Sequence, residues 1–231
     1  MIDVMKAAAD THAPTILFGA FDRHNFGDLL FPHIVAAMLP QKRLVFAGLA
    51  ERDLSPHGGH RVRALAGLAR ELGNSSVNII HVGGELLCCD AWQAAVMLSP
   101  PDQVQDIICK FDKRPVARLE WAGKLLGIPD LAPYALSRKL FPHAARLIFN
   151  AVGGVDLDQR DPALRAEVLA KLKSADRVSV RDNRTWAQLE SADIRASLVP
   201  DPAVMVAELF GARIRQHGRQ GEVADILHAF P

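Results

Sequence analysis

Val77-Asn-Ile-Ile-His-Val-Gly-Gly-Glu85 is an almost wholly apolar run that ends on paired glycines. A short apolar run of this kind fits a strand covered on both faces, as in the middle of a parallel sheet. His81 lies inside it and reads as a packed core histidine. Working backwards, Gly59 to Leu72 is rich in Ala, Leu and Arg and predicts a helix, with Gly73 as its stop. Arg43 to Leu49 predicts a strand. Asp28 to Leu39 predicts a helix, because Leu29, Leu30, Ile34, Val35 and Met38 recur at helical spacing. Thr15 to Phe21 predicts the first strand. Working forwards, Arg146 to Gly153 predicts a strand and Asp161 to Ala175 an amphipathic helix. Arg177 to Arg181 predicts a further strand, followed by a helix over Asn183 to Ser191 and a short strand over Ala196 to Val199.

Strands alternating with helices imply an α/β fold: a doubly wound, mostly parallel, Rossmann-like sheet with helices on both faces. Residues 91–143 depart from the pattern. They hold six prolines and no clear strand, and read as a helical insertion. Residues 1–212 are therefore expected to form one domain. From Arg213 the chain turns polar and basic, then becomes apolar again at Val223, Ile226 and Leu227. Residues 213–231 read as a linker and the start of a truncated second domain.

The 231 residues are 49% hydrophobic and 23% charged, enough for a sizeable core. A net charge of +1 gives no reason to expect nucleic acid as a partner. No apolar run reaches the ~18 residues of a membrane span, and the start lacks a signal-peptide core. Cys88, Cys89 and Cys109 do not make a disulfide framework, which suits a reducing cytoplasm. His57-Gly-Gly-His60 lacks the thiolate or carboxylate that would complete a ligand set, so no metal is expected.

Ligands of doubly wound sheets bind beyond the carboxyl ends of the strands, so the loops that follow strands carry the chemistry. After the first comes Asn25-Phe-Gly27-Asp28. Gly27 suits a tight turn and a close backbone approach, and Asp28 is placed to cap the helix. After the third come Gly83 and Gly84, without a dinucleotide fingerprint or a phosphate loop. After the fifth come Arg181 and Asp182. An arginine at the end of an apolar strand suits bidentate binding of carboxylate or phosphate, or else a structural ion pair with Asp182 or Asn183 as the cap. After the sixth, Asp201 reads as part of a helix-initiating turn. Trp92, Trp121 and Tyr134 stand among the cations of the insertion. Aromatic faces can stack on sugar rings, but helix packing with a solvated basic face explains them as well.

Gly19 through Asp28, Gly83-Gly84, Asn150-Ala-Val-Gly-Gly154, Ser179-Val-Arg-Asp-Asn-Arg-Thr-Trp-Ala-Gln-Leu189 and Val199-Pro-Asp-Pro-Ala203, in that order, resemble the polysaccharide pyruvyl transferase family. The resemblance spans residues 15–210. Glu85 stands where the family often has a third glycine, and Thr185 where it usually has serine. The resemblance implies one half of a two-domain, glycosyltransferase-B-like bacterial enzyme. Such an enzyme moves the pyruvyl group of phosphoenolpyruvate onto a sugar of a cell-surface polysaccharide. It implies phosphoenolpyruvate as co-substrate, no cofactor, and a sugar or polysaccharide acceptor that, when lipid-linked, brings the protein to a membrane surface. It implies Arg181 on the donor carboxylate or phosphate; Asn25, Gly27, Gly83 and Gly84 along the substrate; and Asp28 or Asp182 as general base. Because the donor site draws on a second domain, this chain alone is expected not to catalyse, and to self-associate through an apolar face. A nucleotide-sugar glycosyltransferase domain and a non-catalytic carbohydrate-binding domain are the alternatives.

Overall fold

The computed structural model describes residues 13–23, 25–39 and 43–219. In chain order these form β1 (Thr15–Phe18), α1 (Phe26–Met38), β2 (Leu44–Gly48), β3 (Arg52–Asp53), β4 (Arg61–Ala64), α2 (Leu65–Leu72), β5 (Asn78–His81) and β6 (Gly84–Glu85). The insertion contributes α3 (Ala91–Leu98), α4 (Val104–Phe111) and α5 (Pro115–Leu126). Then come β7 (Arg146–Gly153), α6 (Pro162–Lys173), β8 (Arg177–Val180), α7 (Asn183–Ser191), β9 (Ser197–Leu198) and α8 (Val206–His217).

The strands make one sheet in the order β3-β4-β2-β1-β5-β7-β8-β9, with β6 beside β7. Every pairing is parallel except β3 with β4. From β1 the chain runs to β2 on one side, and later returns to lay β5 on the other. The gap between the carboxyl ends of β1 and β5 is therefore the topological switch point, where such sheets bind ligands.

Alternation along the strands divides the core in two. Ile16, Phe18, Ile79 and Phe149 point to the face covered by α2, the insertion, α6 and α7. Leu17, Ile80 and Ile148 point to the other face, under Leu29, Phe31 and Val35 of α1. His81 sits on the first face as a core residue. It is fully buried, stacked on Phe149 at 3.8 Å, with Nδ1 3.1 Å from the Ile148 carbonyl. Its Nε2 accepts from Leu136 N–H at 3.0 Å, which fixes the neutral tautomer with the proton on Nδ1. Burial lowers its pKa to about 3.

The insertion is anchored on that same face. Lys171, 6% exposed, reaches from α6 to Asp130 at 2.7 Å, Glu167 at 2.6 Å and the Ala132 carbonyl at 2.9 Å. Glu167 in turn accepts from Leu131 N–H and Ala132 N–H, both at 3.0 Å. From there α3 runs to the carboxyl edge of the sheet, where Arg23 donates to Met97 Sδ.

Several expected boundaries shift. The helix expected over Gly59 to Leu72 is strand β4 followed by the shorter α2. Arg61 and Arg63 are exposed while Val62 between them is buried, a period of two that suits an edge strand. β1 ends at Phe18, before Phe21. The paired glycines lead directly into β6, a two-residue strand the sequence did not suggest. The expected boundary at Arg213 falls inside α8. The apolar pattern at Val223, Ile226 and Leu227 lies outside the described residues. Among the described residues no helix is long and apolar enough to cross a membrane.

Candidate functional site

The loop after β1 carries the first group of site residues. Asp22 is fully buried there. One carboxylate oxygen accepts from Leu49 N–H at 2.6 Å and Ala50 N–H at 2.9 Å, and the other accepts from Tyr134 Oη at 3.0 Å. Burial pushes the Asp22 pKa up, and these three bonds work against that rise. A single side chain thus ties the ends of β1 and β2 to the insertion.

Asn25, rather than the expected Asp28, caps α1, accepting from Asp28 N–H at 3.4 Å. The amide oxygen of Asn25 suits the cap, and Asp28 then falls in the first turn, where its charge suits the helix dipole. Arg23 holds Asp28 at 2.8 Å, leaving its carboxylate 16% exposed. Gly27 is the second residue of α1, so no tight turn forms at that point. A Cβ there would meet only Asn25 Oδ1 at 3.5 Å.

The second group follows β5. Gly83 and Gly84 have φ of 112° and 97°, the left-handed side that residues with a Cβ adopt only under strain. The turn brings Gly84 beside Asp28, whose Oδ1 would lie 3.6 Å from an added Cβ. Next in the chain, Glu85 reaches across β7 to Arg181, at 3.1 Å. Its other oxygen accepts from Val155 N–H at 3.0 Å. Gly153 makes room for this crossing. A Cβ on it would stand 2.1 Å from Glu85 Oε2 and 2.9 Å from Arg181 Nε.

Arg181 follows β8 and is held on a second side by Asp201, at 2.7 Å. Burial works against its charge, yet the bonds to Asp201 and Glu85 outweigh burial and raise its pKa. The guanidinium is therefore a fixed cation at the carboxyl edge, on the same edge as the Gly83-Gly84 turn. Asp182 is the N-cap of α7, with its two oxygens accepting from Thr185 N–H and Thr185 Oγ1, both at 2.7 Å. Asp201 also caps the turn Pro202–Met205, as expected, accepting from Ala203 N–H at 2.9 Å.

Between these loops and α3 lies a cleft of about 460 Å³. Arg23, Glu85, Trp92, Met97, Arg118 and Arg160 are among the residues that border it. Trp92, Phe111 and Trp121 pack on one another with centroids 5.4–5.9 Å apart, and Arg118 lies over Trp92 at 5.2 Å. The aromatic residues of the insertion thus divide. Tyr134 is a buried clamp on Asp22, while Trp92 belongs to the cleft wall. Burial drives the Cys89 thiol up to about 12, so this half-buried cysteine is no nucleophile at neutral pH. His60 stacks on Phe46 at 3.7 Å, away from the cleft. Among the described residues no group of three or more His, Cys, Asp or Glu is placed to hold a metal ion.

Of the expected site residues, Asp28, Gly83, Gly84 and Arg181 gather around the loops after β1, β5 and β8. Asn25 and Gly27 stand exposed at the mouth of α1. Sequence reasoning missed Asp22, Arg23 and Arg160, and the role of Glu85 as the partner of Arg181. It quoted Asn150 as part of a motif but gave it no role; the residue is buried at 1% exposure with neither amide atom bonded among the described residues. Asp22, Arg23 and Asn150 stood in the sequence only within the family-like stretches 19–28 and 150–154, and Arg160, which follows the turn Leu157–Gln159, carried no signal.

A sequence model of the polysaccharide pyruvyl transferase family matches residues 25–229. No curated protein matches the chain, nor does any solved structure.

Proposed function

The chain belongs to the polysaccharide pyruvyl transferase family, and from that premise we propose that it takes part in moving a pyruvyl group from phosphoenolpyruvate to a sugar of a cell-surface polysaccharide. The observation that carries the reading is the family match over residues 25–229, which takes in α1 and the loops after β5 and β8 at the sheet's carboxyl edge. The reaction protonates the methylene carbon of phosphoenolpyruvate, so that C2 becomes electrophilic. One sugar hydroxyl adds to C2, phosphate leaves with the enol C–O bond, and a second hydroxyl of the same sugar closes the ketal. Of the two hydroxyl protons, one balances the proton gained by the methyl group and one leaves with phosphate.

Arg181 is assigned to the donor's carboxylate or phosphate, as a planar cation suited to bidentate contact. Gly83 and Gly84 let substrate lie against the backbone, with Asn25 and Gly27 along the acceptor. Of the two candidate bases, Asp28 is favoured over Asp182. Both oxygens of Asp182 are engaged by Thr185, whereas Asp28 turns Oδ1 towards the glycine turn. A base must reach the hydroxyl it deprotonates. No cofactor is assigned, and phosphoenolpyruvate is a co-substrate.

The test supplies the native gene product with phosphoenolpyruvate and a panel of acceptor saccharides. It follows phosphate release and the mass gain of the pyruvyl ketal on the acceptor. Acceptor-dependent release that Arg181→Ala lowers supports the reading. Release that does not depend on any acceptor sinks it. One observation favours a second reading, a non-catalytic carbohydrate-binding domain. Arg181 already carries two carboxylate partners, Glu85 and Asp201. Saccharide binding with no binding of phosphoenolpyruvate selects that reading.

A further inference from the structure

Among the described residues, the cleft beside Trp92 holds one cation without a counter-charge, Arg160. Arg160 follows the turn Leu157–Gln159 and lines the cleft of about 460 Å³. Its Nε is buried and has no hydrogen-bond partner among the described residues. The other cations of the cleft are committed. Arg23 is held by Asp28 at 2.8 Å. Arg118 is held by Asp112 at 3.2 Å and donates to the Phe111 carbonyl at 2.9 Å. Of the carboxylates that line the cleft, Asp112 is engaged by Arg118, and Glu85 is engaged by Arg181 and by Val155 N–H. The Arg160 side chain is hydrogen-bonded with the Cys88 thiol, whose pKa burial pushes up, so the sulfur is a neutral partner that carries no charge to offset it.

A guanidinium offers five planar donors and cannot shed its proton. A half-buried cation whose one side-chain partner is a neutral thiol is costly unless something else supplies an anionic acceptor. The rest of the lining includes a second kind of wall: Trp92, Val96, Met97 and Ile108 contribute aromatic and aliphatic side chains. A ligand matching both walls has a carbon-rich face and a negative group. A sugar ring bearing a carboxylate or a phosphate fits that description, and the volume lies in the ~300–1,000 Å³ range of small-molecule sites.

We propose that this cleft binds an anionic sugar, with Arg160 gripping its carboxylate or phosphate and the Trp92 wall receiving the ring. Taken with the transferase reading, on which this step alone rests, the anionic sugar is a unit of the acceptor. The acceptor saccharide is then negatively charged before any pyruvyl group is added. Arg160 and Arg181 divide the anions between them, Arg160 taking the acceptor and Arg181 the donor.

The test is a binding measurement on the full chain with glucuronate, glucose 1-phosphate and glucose as probes, followed by calorimetry or ligand-observed NMR. At least one charged sugar binds about tenfold or more tightly than glucose, the margin a charge-assisted bond gives. That margin shrinks as salt is raised. Comparing glucuronate with glucose 1-phosphate tells whether carboxylate or phosphate is the group held. Arg160→Gln removes the margin and Arg160→Lys keeps part of it. Equal affinity for all three sugars, no binding of any, or a margin that survives in folded Arg160→Gln overturns the proposal. The wild-type comparison decides even where Arg160→Gln fails to fold. No phosphoenolpyruvate is present, so this measurement reads sugar binding by itself; charged-sugar binding here, together with no acceptor-dependent phosphate release when phosphoenolpyruvate is supplied, would refute the transferase reading and leave this one standing.

Discussion

Removing one hydroxyl from Tyr134 tests whether Asp22 is the clamp that fixes the insertion over the switch point. Tyr134→Phe keeps the ring in its buried place and deletes the 3.0 Å bond to Asp22. Asp22 has no access to water that could replace the donor. A hydrogen bond to a charged group contributes roughly 1.5–3 kcal/mol. In a chain of this size each kcal/mol moves Tm by about 2–4 °C, so a fall of about 3–12 °C is expected. The pH dependence gives a sharper test. Burial raises the Asp22 pKa in the folded state, and losing the Tyr134 bond raises it further. A carboxyl raised in this way contributes stability when protonated and loses it as pH rises through its folded pKa. The deficit of Tyr134→Phe is therefore largest above that pKa and shrinks in acid. Thermal melts of both proteins at pH 8 and pH 5 measure it. A Tm unchanged at pH 8, or a deficit that grows on acidification, would refute the clamp.

Arg181→Ala is expected to weaken phosphoenolpyruvate binding by about tenfold or more, from the loss of a charge-assisted contact. Titration calorimetry reads it, and unchanged affinity in a folded variant removes Arg181 from the donor site. Gly153→Ala forces Glu85 away from Arg181, since the new Cβ would stand 2.1 Å from Glu85 Oε2. A loss of about 1–3 kcal/mol in denaturant unfolding is expected, and wild-type stability would mean that the Glu85–Arg181 contact is not required. His81, with a folded pKa of about 3 against an ordinary 6.5, must stay neutral in its core. Its stability contribution is full above pH 6.5 and declines as pH falls below it, at up to about 1.4 kcal/mol per pH unit. His60, lowered to about 4 mainly by burial, adds in the same direction, and Asp22 offsets part of the loss. Unfolding free energies that stay flat from pH 7 to pH 5 would contradict the assignment.

The sheet was legible because its central strands are buried on both faces and so appear as mainly apolar runs, as in residues 77–82 and 147–152. The helix over Asn183–Ser191 was legible because Asp182 caps it at the residue where a cap is expected. β4 was not, because two arginines around one valine in an Ala-rich segment read as helix until the neighbouring strand is in place. The site was legible only in part. The positions of Gly83, Gly84 and Arg181 follow from their places after strands. Their partners do not. Asp22 meets Tyr134 across 112 residues, and Arg181 meets Glu85 across 96. Sequence order holds no trace of such pairings. The lack of a counter-charge at Arg160 among the described residues is less legible still, since it depends on where every nearby carboxylate has gone.

The central claim is tested most directly in cells of the source organism, by the pyruvyl ketal content of the surface polysaccharide read from its methyl signal by NMR. Deleting the gene should remove the signal. The wild-type gene should restore it, and the gene carrying Arg181→Ala should restore little or none. A signal that persists undiminished after deletion would contradict the account.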